Sequence, residues 1–237
     1  MLLYHQMKLS VIIPCHNEEK YIEKVLTDVN SLELPCEKEI IAINDGSDDN
    51  TKALLKKLKG GINFKLLEHN KNLGKGTAIK TGLGITTGDL IIIQDADLEY
   101  DPADIPFLLK KMEGDVWAVY GNRGIKRWPK RGFHYMLGAK ALTFLVNFIY
   151  RSNLHDVYTG YKLFNLNKTG KELFKNIKSS GFEFEAEITC KILEIQGKII
   201  EVPINYTPRN KAEGKHIGLR DAFKGFFTIM RCFAEKK

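Results

Sequence analysis

The residues best suited to chemistry lie in one acidic stretch of the sequence, Leu90–Asp101, which reads LIIIQDADLEYD. Its carboxylates alternate with other residues, at Asp95, Asp97, Glu99 and Asp101. Side chains two residues apart in an extended chain point to the same side, so we expect Asp95 and Asp97 to converge on one point. Carboxylate oxygens suit Mg²⁺ or Mn²⁺, which proteins usually hold with one or two carboxylates and substrate phosphates.

The place of this stretch in the chain decides between a metal site and a solvated acidic turn. For an isolated D-x-D, the turn is the commoner explanation. Here the acidic residues follow Leu90–Ile93, four consecutive apolar residues that predict a buried parallel strand. Ligands of open α/β sheets bind just past the carboxyl ends of the strands. The sequence therefore favours a cation site at that edge.

Strand and helix patterns alternate through roughly the first 120 residues and would position the acidic stretch. Apolar runs predict strands at Leu9–Pro14, Ile40–Ile43, Phe64–Leu67, Leu90–Ile93 and Val116–Tyr120. Apolar residues at helical spacing predict a helix after each of the first four strands, the first beginning near Asn17. This alternation predicts an α/β fold with a mostly parallel, doubly wound sheet. At 237 residues the chain fits a single domain.

The pattern changes after Gly121, where the chain becomes basic and aromatic. Two amphipathic or apolar helices are predicted, His134–Tyr150 and Leu219–Phe233. The first is at the lower length limit for a membrane span and carries Lys140 near its middle, so we expect it at a membrane interface or packed on the sheet. The second has a basic polar side, which is typical of membrane-surface helices, with docking on the core as an equal alternative.

The segments between these two helices give weaker signals. Asp156–Phe164 and Gly181–Glu187 are polar and aromatic, and we expect loops or short strands there. Glu185–Ile195 predicts a helix and Ile199–Tyr206 a strand. Pro203 lacks the N–H that a central strand needs, so that last strand should lie at a sheet edge.

Charge and cysteine content limit the partners and the compartment. The net charge of +7 and the pI near 9.1 favour anionic partners such as nucleotides, phosphates or an acidic membrane surface. A nucleic-acid function is disfavoured because the basic residues form no recognisable nucleic-acid motif. The four cysteines have no metal-ligand spacing, and the first ten residues lack the apolar core of a secretory signal. Both features predict a cytoplasmic protein with reduced thiols.

Two common nucleotide-binding signatures do not fit. A P-loop needs a glycine five residues before Gly74-Lys75, where this chain has His69. A dinucleotide fingerprint would place G-x-G-x-x-G after the first strand, where Cys15–Glu19 reads CHNEE. Polar loops nevertheless follow three strands, and Asn72–Gly76 (NLGKG) adds a lysine loop. Such parts suit a nucleotide diphosphate bound together with a metal ion.

Four motifs carry a resemblance to a known family: SVIIPCHNEE, NDGSDDNT, NLGKGTAIKTGL and IIIQDADLEYDP. Together they resemble glycosyltransferase family 2, whose members have the GT-A nucleotide-sugar-binding fold. The later stretches GNRGIKRW, DVYTGYKLF, GFEFEAEIT and EVPINYTPRNKAEGKHIGLRDAF resemble the subgroup of dolichyl- and polyprenyl-phosphate sugar synthases, similar to dolichol-phosphate mannose synthase. The resemblance runs from about Leu9 to Phe233, which is nearly the whole chain.

On the donor side, the resemblance assigns binding to the first two loops, the lysine loop and the acidic stretch. The positions that would contact the nucleotide or its diphosphate are Pro14, His16, Glu18, Asp45, Lys75, Asp95 and Glu99. Asp95 and Asp97 match the D-x-D that holds Mg²⁺ or Mn²⁺. Glu99 stands where the mannosyl enzymes often have glutamine, so UDP-glucose and GDP-mannose are both candidate donors.

On the acceptor side, the resemblance implies a polyprenyl or dolichyl phosphate. Basic residues would surround its phosphate and, with Asp97, form the predicted catalytic set: Arg123, Arg131, Arg209 and Lys215. The implied organisation is a nucleotide-sugar-binding half at residues 9–125 and an acceptor-binding half at 126–237 with membrane-surface helices. The expected enzyme is an inverting, metal-dependent hexosyltransferase. It would be peripheral on the cytoplasmic face of the membrane, with a separate membrane-anchoring subunit as a possible partner.

Two alternatives stay open at this level. A transferase acting on a saccharide hydroxyl, as in surface-polysaccharide assembly, would need a general base and would not need the four basic residues. A non-catalytic nucleotide-sugar-binding module, or a subunit that attaches a partner to the membrane, would not need the D-x-D pair.

Overall fold

The computed structural model describes residues 7–124, 133–209 and 219–236. Within them one sheet has the strand order β3-β2-β1-β4-β6-β5-β7. Its strands are β1 (Lys8–Cys15), β2 (Glu37–Asp45), β3 (Lys65–His69), β4 (Leu90–Ile93), β5 (Val116–Asn122), β6 (Lys162–Asn165) and β7 (Lys198–Pro203). All neighbouring strands are parallel except at β6, which is antiparallel to both β4 and β5. The predicted α/β class and mostly parallel sheet are confirmed.

Helices cover both faces of the sheet. They are α1 (Ile22–Ser31), α2 (Thr51–Leu58), α3 (Lys75–Leu83), α4 (Ile105–Leu109), α5 (Phe133–Tyr150), α6 (Leu166–Lys175), α7 (Phe184–Glu194) and α8 (Leu219–Glu235). A short 3₁₀ turn, Pro102–Asp104, leads into α4. Apolar residues of α1, α2 and α4 form the core on one face, and those of α3, α6 and α7 form the core on the other.

Strand β1 lies at the centre of this arrangement because it is apolar on both sides. Val11 and Ile13 belong to the core on one face, and Ile12 belongs to the core on the opposite face. All three side chains are fully buried, and each contributes about 1.5–3 kcal/mol relative to an exposed position. A run without polar alternation is what a strand buried between two helical layers requires.

In the second half, the structure decides one open alternative and adds one helix that was not predicted. The stretch Asp156–Phe164 was open between loop and short strand, and its end enters the sheet as β6. Helix α6 has no counterpart in the prediction, because Gly170, with φ +66°, interrupts the helical pattern in its middle. The predicted edge position of β7 is correct, since β7 ends the sheet next to β5.

The start of the first helix was predicted too early. Asn17 lies in the left-handed region at φ 56°, and α1 begins at Ile22 instead. Residues 17–19 form a loop whose backbone N–H groups are bonded to side chains of the loop after β2 and of Thr51, the first residue of α2. Those bonds to a distant loop compete successfully with the first helical turn.

Helices α5 and α8 pack together over a third apolar cluster that includes Val146, Ile229 and Cys232. Their outer faces leave large aromatic side chains exposed, with Phe148 76% and Phe227 67% accessible. Among residues 7–124, 133–209 and 219–236, no helix is both long enough and apolar enough to cross a bilayer.

Candidate active site

The carboxyl ends of three parallel strands meet at one edge of the sheet. Cys15 at the end of β1 is paired with Asn44 of β2, and Ile12 of β1 is paired with Ile93 at the end of β4. The donor-side residues predicted from the sequence lie at the ends of these strands or in the loops after them, except Lys75, which follows β3. Such an edge is where open α/β sheets bind ligands.

The loops after β1 and β2 are locked together by crossed hydrogen bonds. The N–H of Asn17 donates to Ser47 Oγ at 3.1 Å, and the N–H of Asp48 donates to Asn17 Oδ1 at 2.8 Å. The N–H of Glu18 donates to Thr51 Oγ1 at 2.8 Å. The N–H of Glu19 donates to an Asp49 carboxylate oxygen at 3.1 Å. The two loops therefore form one wall.

Asp45 joins this wall to the lysine loop. Its buried carboxylate accepts N–H bonds from Leu73 and Gly74 at 2.9 and 2.8 Å and lies 2.6 Å from His69 Nδ1. His16 Nδ1 lies 3.0 Å from the Asp45 carbonyl oxygen. Asp45 thus holds the start of α3, whose first residue is the predicted site residue Lys75.

Pro14 lies within β1, opposite Ile43 of β2, one residue before the strand ends.

Gly74 reaches φ +94° and packs so closely on Ser180 that a side chain there would lie 2.4 Å from the Ser180 carbonyl oxygen. Only glycine meets both requirements, which explains the glycine that precedes Lys75 in the lysine loop.

The acidic stretch turns instead of continuing in extended form, which corrects the sequence argument for the convergence of Asp95 and Asp97. Strand β4 ends at Ile93, and the chain turns at Ala96 and Asp97. Leu98 adopts a left-handed conformation at φ 59°, which is unfavourable for a non-glycine residue. As a result Asp95 and Asp97 contact different cationic side chains.

Arg209 is the partner of Asp97 and joins three acidic side chains. Its Nη2 lies 2.7 Å from Asp97 Oδ2, and its two terminal nitrogens bind both oxygens of Glu18 at 3.0 and 3.1 Å. Its Nε lies 3.8 Å from Glu99 Oε1, which also accepts the N–H of Arg209 at 2.9 Å. The guanidinium is 5.4 Å from the ring centre of Tyr21. A predicted acceptor-side residue thus contacts predicted donor-side residues.

Lys75 is the partner of Asp95 and begins a chain of alternating charges that leads into the core. Lys75 Nζ lies 2.6 Å from Asp95 Oδ1 and 3.2 Å from Glu185 Oε1. The other oxygen of Glu185 lies 3.1 Å from Lys162 Nζ, and the Lys162 side chain is completely buried. Burial lowers the pKa of Lys75, but Asp95 and Glu185 outweigh this effect and raise it. Burial lowers the pKa of Lys162, and its ammonium donates to the carbonyl oxygens of Val157 and Thr159.

The pKa of Asp97 is raised to about 7. Burial is the largest cause, and the nearby negative charges of Asp95 and Glu99 act in the same direction, while Arg209 opposes them. A carboxyl group in these surroundings is stabilised by additional positive charge. Its environment therefore favours a cation.

Arg123 forms a separate buried ion pair beside this centre. Its Nε and Nη2 each lie 2.7 Å from one oxygen of Asp156, and both side chains are buried. The Arg123 guanidinium is 5.3 Å from the ring centre of Tyr206, whose hydroxyl donates to Glu99 at 2.7 Å. A cleft next to the pair is lined by Arg123, Asp156, Lys140 and His155 among others.

The structure thus brings Glu18, Asp97, Glu99 and Arg209 into one network. Asp95 is paired with Lys75 beside this network, and its negative charge raises the pKa of Asp97. Arg131 and Lys215 lie outside the described residues. Sequence reasoning missed three contributors: Lys162, Asp156 and Tyr206. The signal for Lys162 was a single lysine within the otherwise apolar YKLF, where a charge enters a strand without an obvious partner.

A divalent cation fits the donor atoms of this centre. Within the described ranges, no group of three or more His, Cys, Asp or Glu side chains is arranged to hold a metal. Mg²⁺ and Mn²⁺ need no such group, because one or two carboxylates suffice when substrate phosphates supply the other ligands. Asp95 and Asp97 would hold the ion, and both are paired with cations that a metal would replace.

Comparison with known proteins places this geometry in context. Residues 10–171, more than half of the chain, match the family model described as Glycosyl transferase family 2. An uncharacterized protein of Methanocaldococcus jannaschii is 34% identical over 201 residues, which are 80% of this chain and 84% of the relative. Dolichol-phosphate mannosyltransferase of Pyrococcus furiosus is 26% identical over 214 residues, which are 88% of this chain and 59% of that relative.

A solved structure with the same fold is glucosyl-3-phosphoglycerate synthase from Mycobacterium tuberculosis in complex with Mn²⁺, UDP and glucosyl-3-phosphoglycerate. Its TM-score is 0.75 at 18% identity, over 97% of this chain and 81% of that chain. The same enzyme has also been solved with Mg²⁺ and UDP. At this identity the likeness shows the fold alone, and it agrees with the GT-A fold expected from the sequence.

Proposed function

This chain belongs to glycosyltransferase family 2, and from that membership we propose that it transfers a hexose from a nucleotide sugar to a polyprenyl or dolichyl phosphate. The observation that carries the proposal is the contact of Arg209 with Asp97 and Glu18. It places a cation suited to a phosphate acceptor directly beside the carboxylates suited to a metal-bound diphosphate. The mannosyltransferase relative, of which this chain spans 59%, supports the acceptor class.

Donor binding would use the edge formed by the loops after β1, β2 and β4. The nucleotide would lie against the wall that includes His16 and Glu18, with its diphosphate toward Lys75 and Asp97. A divalent cation held by Asp95 and Asp97 would offset the negative charge that develops on the departing diphosphate. The Mn²⁺ and Mg²⁺ complexes of the structurally similar synthase support this cofactor class.

Acceptor binding would use the basic side of the same centre. A lipid phosphate is already anionic near neutral pH, so its oxygen attacks the anomeric carbon without needing a general base. The bond between that carbon and the diphosphate oxygen breaks as the new bond forms on the opposite face, which inverts the anomeric configuration. Arg209, with Arg131 and Lys215 as predicted partners, would neutralise the repulsion between the two anionic substrates.

Transfer to a saccharide hydroxyl is the second candidate, and one observation favours it. Such a reaction needs a base, and Glu183 Oε2 is a buried carboxylate oxygen without a hydrogen-bond partner among the described residues. Glu185 is less suited, because it is held between the ammonium groups of Lys75 and Lys162. The two candidates therefore make opposite predictions for Glu183.

Membrane attachment belongs to the proposal as well. The exposed aromatic side chains of α5 and α8 include Phe144, Phe148, Phe223 and Phe227, and α8 also carries the exposed Arg220 and Lys224. Aromatic and basic residues on neighbouring helices suit an anionic bilayer surface. We place the enzyme on the cytoplasmic face, where its water-soluble donor would be available.

The experiment that tests the function is a transfer assay with purified protein, UDP-glucose or GDP-mannose, Mn²⁺ or Mg²⁺, and either a short-chain polyprenyl phosphate or an oligosaccharide. We expect metal-dependent transfer to the phosphate and little change in Glu183→Gln. Transfer to the oligosaccharide alone, at a rate that falls by about 10²–10⁴-fold in Glu183→Gln, would establish transfer to a saccharide hydroxyl as the function instead. Binding of donor without transfer to either acceptor would indicate a non-catalytic module.

A further inference from the structure

Arg209 occupies a position that the proposed reaction cannot leave unchanged. Asp97 Oδ1 accepts the N–H of Glu99 at 3.0 Å, and its Oδ2 lies 2.7 Å from Arg209 Nη2. A metal ion bound by Asp97 would therefore approach the oxygen that Arg209 already contacts. A metal ion and a guanidinium that contact the same carboxylate oxygen repel each other strongly in a half-buried site, where solvent screens their charges little.

The same guanidinium also covers a predicted nucleotide contact. Both oxygens of Glu18 accept hydrogen bonds from Arg209, so Glu18 is fully engaged on that side. The Arg209 side chain thus blocks both the proposed metal ligand Asp97 and the predicted nucleotide contact Glu18. The side chain of Arg209 is 15% exposed, and it would have to leave two acidic partners together.

The backbone around Arg209 is fixed, so displacement concerns its side chain. The N–H of Thr207 donates to the Glu99 carbonyl oxygen at 2.9 Å, and the N–H of Arg209 donates to the Glu99 carboxylate at 2.9 Å. The Tyr206 hydroxyl donates to the other carboxylate oxygen of Glu99. Glu99 therefore anchors this segment independently of Asp97 and Glu18.

We propose that Arg209 competes with the divalent cation for Asp97 and, once displaced by the metal–nucleotide complex, becomes the ligand of the acceptor phosphate. This inference rests on the proposed function. Its consequence is an obligatory order in which the donor binds before the acceptor. Arg209 is then a competitor of the metal in the donor-free protein and a direct ligand of the acceptor phosphate.

The first test is the affinity of the donor-free protein for Mn²⁺, measured by electron paramagnetic resonance of the unbound ion. We expect Arg209→Met to bind Mn²⁺ more tightly than the wild type, by about tenfold, which is a usual size for coupled sites. The matched control is Arg220→Met, which removes the same charge at an exposed position of α8 and should change the affinity by less than about twofold. Arg209→Lys keeps the charge without the two-nitrogen fork and should fall between them.

Unchanged or weaker Mn²⁺ binding in folded Arg209→Met would overturn the competition, as would an equal gain in Arg220→Met. Thermal unfolding of each variant establishes that it is folded, and Arg209→Lys decides the matter if Arg209→Met is not. A residue with only a structural role would lower the affinity for Mn²⁺ when it is removed, whereas competition raises it.

The second test concerns the acceptor and uses a short-chain prenyl phosphate as the probe. We expect its binding to the wild type to strengthen when Mn²⁺ is present with UDP or with GDP, and this strengthening to be lost in Arg209→Met. If Arg209→Met keeps the strengthening, the handover to the acceptor is wrong. If the wild type never binds the probe while the Mn²⁺ results hold, the proposed acceptor is wrong and the competition stands.

Discussion

At the scale of single residues, the centre depends on charges that few side chains supply. Asp97 is paired with Arg209, and Asp95 with Lys75, although the two carboxylates stand only two residues apart. The left-handed backbone of Leu98 turns the chain between Asp97 and Glu99. Each of these acidic groups can therefore be tested separately.

Replacing Asp97 with asparagine should lower the transfer rate by about 10²–10³-fold or more, because one of the two carboxylates proposed to hold the metal is lost. The thermal midpoint should change little, since the amide keeps the bond from the Glu99 N–H and removes a like charge beside Asp95. Asp101→Asn is a matched control, because asparagine can also cap the 3₁₀ turn that Asp101 caps. Full activity of Asp97→Asn in metal-free buffer would contradict the mechanism.

The buried pair of Arg123 and Asp156 allows a prediction on stability. Asp156→Asn should destabilise the protein by about 3–5 kcal/mol, because it leaves a buried guanidinium without its counter-charge. Urea unfolding measures this free energy. The double variant Arg123→Met with Asp156→Leu should recover most of the loss, since it removes both charges together. A double variant as unstable as Asp156→Asn would show that packing, and not charge, is responsible.

At the scale of elements, helices α5 and α8 of the second half add an exposed aromatic surface to the α/β sheet. Helix α5 rests on α8 through buried residues such as Val146 and Ile229. The opposite sides of both helices carry the exposed phenylalanines. These helices therefore pack on each other through one face and leave an aromatic face exposed, as the proposed membrane attachment would require.

Replacing Phe223 and Phe227 together with serine should weaken binding to anionic liposomes by about tenfold or more, because two exposed aromatic side chains are removed from the contact. Sedimentation of the protein with liposomes at low salt measures this change. Phe107→Ser is the control, since Phe107 is an exposed phenylalanine on α4. If the wild type does not sediment with liposomes, the proposal that α5 and α8 attach the protein to a membrane is wrong.

At the scale of the whole molecule, one acidic side chain ties the strands together at the end of the sheet away from the site. Glu39 of β2 accepts hydrogen bonds from Ser10 of β1, from Lys65 of β3 and from the N–H of Thr87. Burial raises the pKa of Glu39, but these hydrogen bonds outweigh it and lower the pKa to about 2. Ionised Glu39 therefore stabilises the folded sheet.

The resulting pH dependence has a defined sign. Because the folded pKa lies below the ordinary value of 4.5, the stabilisation is complete above about pH 4.5 and is lost as the pH falls toward 2. We expect Glu39→Gln to lose roughly 1–3 kcal/mol at pH 7 and to show a flatter decline in acid. Urea unfolding at several pH values measures both. A parallel decline in wild type and variant would contradict this role of Glu39.

Much of the first half could be predicted from sequence, because its strands are apolar on both faces and its helices have clear periodicity. The second half was harder. Helix α6 was hidden by Gly170, and β6 contains the buried Lys162, whose neutralising partner Glu185 is far along the chain. The early start predicted for α1 failed because bonds from Asn17 and Glu18 to a distant loop are not visible in local sequence.

The site showed the same division between residue type and contact. The residue types pointed to donor and acceptor groups, but the contact of Arg209 with Glu18 joins positions 191 residues apart, which no local pattern encodes. The turn at Ala96 and Asp97 also shows that this stretch is not extended, which is the geometry from which we predicted that Asp95 and Asp97 converge. The types and spacing of residues in the sequence indicate which chemical groups are available, but only the folded structure shows which of these groups contact each other.

The crossed bonds between the loops after β1 and β2 have a further consequence for affinity. A flexible recognition loop loses conformational entropy when a ligand orders it, and that loss weakens binding. Asn17, Ser47 and Asp48 already hold one another, so a nucleotide arriving at this wall would meet a preorganised surface. The entropy lost on ordering would then come from the parts of the protein that bind the sugar and the lipid. We expect the protein to adapt its conformation there, and so to discriminate among acceptors there.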